Sequence, residues 1–170
     1  MKPYEYMLAT RETAIYPKEV ALSYLVLGLV SEADELGRAI MSGDTGNIVK
    51  EAGDNLWYAF RLYDEIFHEL AAVDQWEDFY PSWKLNTDGA LRKIYSAIGS
   101  LADMTKKSIR DNNGVIPEGK RNDFMLALSQ VVTGIAHIDV NTLEYYAIAN
   151  IDKLMSRKSR NVIRGSGDDR

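Results

Sequence analysis

The sequence predicts an all-α fold, a bundle of about five to six helices. Apolar residues recur at helical spacing along most of the chain, and no segment shows the alternating, β-branched pattern of a strand bounded by tight turns. The breaks fall at a few clusters of Gly, Pro, Asn and Ser. With 170 residues, 46% hydrophobic and 26% charged, the chain is long enough for one buried core and is read as one domain.

The elements follow in order. A short helix is expected over about residues 3–12, and a longer one opens at Pro17, which suits a first helical position because it lacks an N–H. The run from Ser42 to Gly46 breaks that helix. A third is expected from about residue 47 to the mid-70s, with Ile48, Leu56, Phe60, Tyr63, Ile66 and Phe67 on one broad apolar face. A loop at Tyr80 and Pro81 precedes a fourth helix over about residues 87–110. The turn-rich stretch 112–119 leads to a fifth over about 122–137, and the last starts near Asn141, where Glu144 stands at capping-box spacing, and runs to about residue 158. Residues 160–170 read as a frayed terminus rich in small and charged residues.

Residues 25–40 laid on residues 94–109 place Leu25 on Ile94, Leu29 on Ile98 and Ile40 on Ile109, and match Ser31, Ala33 and Asp34 with identical residues. In the same alignment Glu32 meets Leu101 and Glu35 meets Met104. A degenerate tandem duplication of a helical hairpin would give this pattern, and so would chance likeness between helices. The chain accordingly divides into an acidic hairpin over about residues 17–79, an insert over about 87–138 that is free of the paired site acids, and a C-terminal helix with its tail over about 141–170.

Charge and composition narrow the function classes. A net charge of −5 argues against a protein that grips nucleic acid through a broad basic surface, and no apolar run is long enough to span a bilayer. Neither nucleic acid nor a membrane is an expected partner. An acidic protein can still hold a polyphosphate through a divalent cation, because the ion inverts the local sign of the site. With no cysteine in the chain, thiolate metal sites and thiol nucleophiles are excluded, and a cytoplasmic setting is expected.

Carboxylates supply the motif. Glu32 and Glu35 are three apart, as are Glu51 and Asp54, so each pair projects from one face of its helix. Glu35 lies eight residues before Gly43 and Asp54 eight after Gly46, so both sit roughly 12 Å from the turn and face each other in an antiparallel hairpin. Oxygen-only ligands in that number suit Mg²⁺, with Mn²⁺ as a second choice. Such pairs are also common on solvated helix faces, but these adjoin the apolar runs 25–30 and 56–60, and partly buried acids need cations.

At these residues the sequence resembles the MazG-type all-α nucleoside triphosphate pyrophosphohydrolases, relatives of the dimeric dUTPases and dCTPases. Their motif is E-x-x-E, a spacer, then E-x-x-D; here the spacer, residues 36–50, is 15 residues long. Residues 28–36 (GLVSEADEL) and 51–58 (EAGDNLWY) are similar to the family's two acidic segments, and residues 149–157 (ANIDKLMSR) to its Asn-x-x-Lys-Leu-x-x-Arg helix. The tail, GSGDDR, resembles tails of phage and bacterial members, so the cytoplasm would be a host's if the gene is a phage's.

The resemblance implies that Glu32, Glu35, Glu51 and Asp54 bind Mg²⁺ and that Asn150, Lys153 and Arg157, which share a helix face, contact the phosphates or sugar of a nucleoside triphosphate. A solvated basic helix end is the plainer reading of those three. Tyr58, one turn after Asp54, is placed to donate to a phosphate and Trp57 to stack on a base, or both belong to the core. The implied reaction is Mg²⁺-dependent hydrolysis at the α-phosphorus to a monophosphate and pyrophosphate, serving control or sanitation of the nucleotide pool. A homo-oligomer, dimer favoured, is implied as well, although the long insert before Asn150 departs from compact members. Two alternatives stand beside this reading: a catalytically silent nucleotide-binding or regulatory module, and a di-iron bundle built on Glu65 and His68. The second lacks its other Glu-x-x-His, because Gly134 precedes His137 by three.

Overall fold

The computed structural model describes residues 1–67, 75–79 and 84–164. Six α-helices and three short 3₁₀ turns make up the regular structure, with no strand among the described residues. The helices are α1 (Pro3–Arg11), α2 (Ala21–Ser42), α3 (Thr45–Phe67), α4 (Thr87–Asn112), α5 (Arg121–Ile135) and α6 (Leu143–Ser159). The expected Tyr80–Pro81 loop, the final turns of the third helix beyond Phe67 and the GSGDDR tail lie outside the described residues.

Local chemistry sets most boundaries, and three differ from expectation. Pro17 does not open α2; it precedes a 3₁₀ turn over Lys18–Val20, and the α-helix begins at Ala21. The break between α2 and α3 is tighter than the five-residue run predicts. Gly43 closes α2 at φ +70°, a left-handed conformation that a side chain would strain. Asp44 then accepts the Asn47 N–H at 3.1 Å and the Asn47 side-chain amide at 2.8 Å, so its cap lets α3 start at Thr45. At α6 the cap is Thr142, whose hydroxyl accepts the Tyr145 N–H at 3.2 Å, while Asn141 bonds back to Asp139.

Packing follows the apolar faces. Helix α2 lies against α3, α4 against α5, and the two hairpins meet through α2 with α4 and α3 with α5. Helices α1 and α6 cover the remaining side of α3. Leu25, Leu29, Ala33 and Leu36 of α2 are buried, as are Leu56, Ala59 and Phe60 of α3. The 25-on-94 alignment is part matched: Ile94, Ile98 and Leu101 are as buried as Leu25 and Leu29, but Ile109 is 52% exposed and lies outside the core.

Two close approaches fix how α2 and α3 meet their neighbours. A Cβ on Gly28 would stand 2.1 Å from the Tyr58 ring, so the glycine lets Tyr58 lie across α2. A Cβ on Gly53 would stand 3.0 Å from the Asn150 Cβ and 3.1 Å from the Tyr146 carbonyl, so this glycine brings α6 close against α3.

Candidate functional site

The Gly43–Asp44 turn folds α3 back along α2, and the two acidic pairs meet between them. Glu32, Glu35 and Glu51 each offer a carboxylate oxygen, and these atoms all lie within 4.8 Å of one another. Glu51 is buried and the other two are half-buried. Burial, then the negative charges of Asp54, Glu35 and Glu51, push the Glu32 carboxyl up to about 8, and a hydrogen bond with Glu51 acts in the same direction. Burial also raises Glu51, helped by Asp54 and Glu35 and opposed by Lys50, whose Nζ stands 3.2 Å away.

Asp54 stands beside this trio with partners of its own. Lys153 donates to both of its oxygens, at 2.6 and 2.5 Å, and the Asn150 amide donates to one at 2.7 Å. The sequence pattern of four equal carboxylates is therefore three convergent acids plus one held by α6. Asn150 is itself oriented: its carbonyl oxygen accepts the hydroxyl of the fully buried Tyr6 at 3.2 Å, which turns its NH₂ toward Asp54. Arg157, two turns after Asn150, is also buried.

Tyr58 is half-buried beside the cluster, its ring centroid 6.4 Å from that of Tyr24. Burial first, then Tyr24 and the nearby Glu32 and Asp54 charges, raise it far above the usual tyrosine range, so it stays a neutral donor. Trp57 is buried, with its indole N–H on the Thr13 hydroxyl at 2.9 Å and its ring edge-on to Tyr16 and Tyr58. That is the core placement of the two it could have had.

Glu65, the acid of the di-iron alternative, accepts from Tyr16, Lys18 and Arg61 at 2.7–2.8 Å, so cations already occupy it. His68 lies outside the described residues, and His137, in the turn just past α5, places Nδ1 2.7 Å from the Thr133 carbonyl of that helix.

Sequence reading missed Lys50, Tyr6, Tyr24 and the roles of Gly28 and Gly53. The glycines stood inside the two acidic segments, Gly53 beside Asp54 and Gly28 one turn before Glu32, and that placement was the one available signal. Tyr6 reaches Asn150 across 144 positions, which no linear spacing announces.

The donor set fits a hard divalent cation. It consists of convergent oxygens only, withdrawn from water, with the mutual repulsion that a cation would relieve. An all-α hairpin carrying such a cluster defines the class, and one comparison points the same way: residues 21–71, which hold all four acids, match the MazG nucleotide pyrophosphohydrolase domain family. The chain is also 40% identical over 76 residues to the Gene 37 protein of Mycobacterium phage L5, an alignment covering 42% of this chain and 66% of the phage protein, just under two thirds of its length. No solved structure matches the chain. The matched family segment ends before α6, so Asn150 and Lys153 reach the cluster through their contacts with Asp54 and not through that match.

Proposed function

We propose that the protein hydrolyses nucleoside triphosphates to a monophosphate and pyrophosphate, with water attacking the α-phosphorus. The convergence of Glu32, Glu35 and Glu51 within 4.8 Å, beside Asp54, carries this reading, and the family of residues 21–71 supports it.

The four carboxylates would hold Mg²⁺, or Mn²⁺, which supplies charge neutralisation at the phosphates and a more acidic water. The chain's own groups do the rest. A carboxylate of the cluster takes the proton of the attacking water, the bond from the α-phosphorus to its bridging oxygen breaks, and that oxygen leaves with its electron pair as pyrophosphate. Lys153 exchanges its contact with Asp54 for a phosphate oxygen, serving as a compact charge, and Arg157 offers a paired donor set to the same polyphosphate. Asn150, held by Tyr6, faces the sugar or a phosphate, and Tyr58 donates to a phosphate. No protein nucleophile is required.

Incubating the purified protein with Mg²⁺ and a panel of canonical and modified triphosphates, and resolving products by chromatography, tests the reading. Monophosphate and pyrophosphate in equal amounts are expected. Orthophosphate as first product would move the attack to the γ-phosphorus, and no product across the panel would leave a binding module in place of the enzyme.

A further inference from the structure

Away from the acids, the wall of the site becomes aromatic. Tyr24, Gly28 and Glu32 follow at i, i+4 and i+8, so they share one face of α2, and two turns of helix place Tyr24 roughly 12 Å from Glu32 along the axis. The missing side chain at Gly28 admits the Tyr58 ring, which bridges the interval. Tyr58 lies close enough to Glu32 and Asp54 to feel their charges at one end, and on its other side its ring centroid stands 6.4 Å from that of Tyr24. On its other flank Tyr24 is backed by the buried ring of Tyr16, stacked at 5.3 Å and 29°. Tyr24 itself remains 42% exposed.

This ring adds little to the core, yet two contacts hold it in place. A platform fixed before binding loses little side-chain entropy when a second ring lands on it. The spacing also matches the substrate's dimensions, since a polyphosphate anchored at the carboxylates leaves its base about two helical turns away.

We propose that Tyr24 is the stacking platform for the nucleobase, its open face receiving the base while the phosphates lie at the carboxylate cluster. The inference rests on the nucleotide reading of the site and adds the base subsite to it. Every base has a π-face, so the platform binds purines and pyrimidines alike and separates nucleotides from bare polyphosphate.

Calorimetric titration of the full chain in Mg²⁺ tests it, with α,β-imido analogues of dUTP, dCTP and dGTP as one ligand set and inorganic tripolyphosphate as the other. Tyr24→Ala is expected to weaken every nucleotide analogue by about ten-fold, within the range of base–aromatic stacking, and to leave tripolyphosphate affinity unchanged. Tyr24→Phe should retain nucleotide affinity and Tyr24→Leu should not, because leucine keeps apolar area without a π-face. Equal loss for both ligand sets, no loss for the nucleotides, or recovery by leucine would each overturn the platform alone. Wild-type protein that binds no analogue would overturn the nucleotide reading with it. Wild-type protein that binds the analogues but turns over no triphosphate would overturn only the proposed reaction, and the variant series would still decide the role of Tyr24.

Discussion

Helix α3 carries two acidic groups in opposite electrostatic surroundings. In its last turns, Asp64 and Glu65 meet a full set of cations: Arg61, 2% exposed, reaches Asp64 at 2.5 Å and Glu65 at 2.7 Å, Arg11 grips Asp64 with two nitrogens, and Lys18 holds Glu65. Burial alone would raise both acids, but the donors outweigh it and both are lowered. Three turns earlier, Glu51 and Asp54 share their space with Glu32 and Glu35 against Lys50 and Lys153, and Glu32 and Glu51 are raised. One cluster is closed and holds α1 to α3; the other keeps excess negative charge and is open to a divalent cation. Acid count does not separate them; compensation does.

The comparison breaks most sharply on turnover. Glu35→Gln or Asp54→Asn should lower Mg²⁺-dependent pyrophosphate release by at least about 1000-fold, the several kcal/mol expected of metal-held charge stabilisation, while the melting temperature holds or rises. Full activity in either variant would sink the site assignment. Asp64→Asn should do the reverse. Leaving Arg61 without its buried partner costs about 3 kcal/mol and lowers the melting temperature by roughly 5–10 °C, with turnover per folded molecule kept. A melt unchanged from wild type would show that the Arg61 network does not hold α1.

Lys153 sharpens the contrast, because it is the cation that must move. In nucleotide-free protein, Lys153→Ala should tighten Mn²⁺ binding, read by electron paramagnetic resonance, by about thirty-fold, the effect of removing one unit charge near 4 Å from a divalent ion in a hydrated site. The same variant should turn over more slowly for want of a phosphate contact. Weaker Mn²⁺ binding would instead mean that Lys153 organises Asp54 for the ion.

The smallest effect is the pH dependence of metal-free stability, and its sign differs between the clusters. Glu32 binds its proton more tightly folded than unfolded, so its contribution is complete in acid and is lost as pH rises from the usual carboxylate range through about 8. Asp64 and Glu65 are lowered, so theirs is present at neutral pH and lost as pH falls below the usual range. Thermal melts in chelator should decline on both sides, Glu32→Gln flattening the alkaline limb and Glu65→Gln the acid one. An alkaline limb untouched by Glu32→Gln would assign it elsewhere.

Helix type and the acidic pairing were legible because both rest on short-range periodicity: residues three apart must share a face. The three-plus-one division was not, because Lys153 and Asn150 reach Asp54 across 99 and 96 positions. Lys50 was invisible for another reason, since adjacent helical residues do not ordinarily face each other and only its long side chain brings Nζ back to Glu51. Caps were misread where two polar residues compete, as at Asn141 and Thr142. Gly28 and Gly53 were visible as letters, but what they admit, the Tyr58 ring and helix α6, belongs to tertiary structure.

The central claim, that water attacks the α-phosphorus at this cluster, is tested most directly by a single turnover in ¹⁸O-water with Mg²⁺, followed by mass spectrometry of the products. The account predicts one ¹⁸O in the nucleoside monophosphate and none in pyrophosphate. Label in pyrophosphate or in orthophosphate would contradict it.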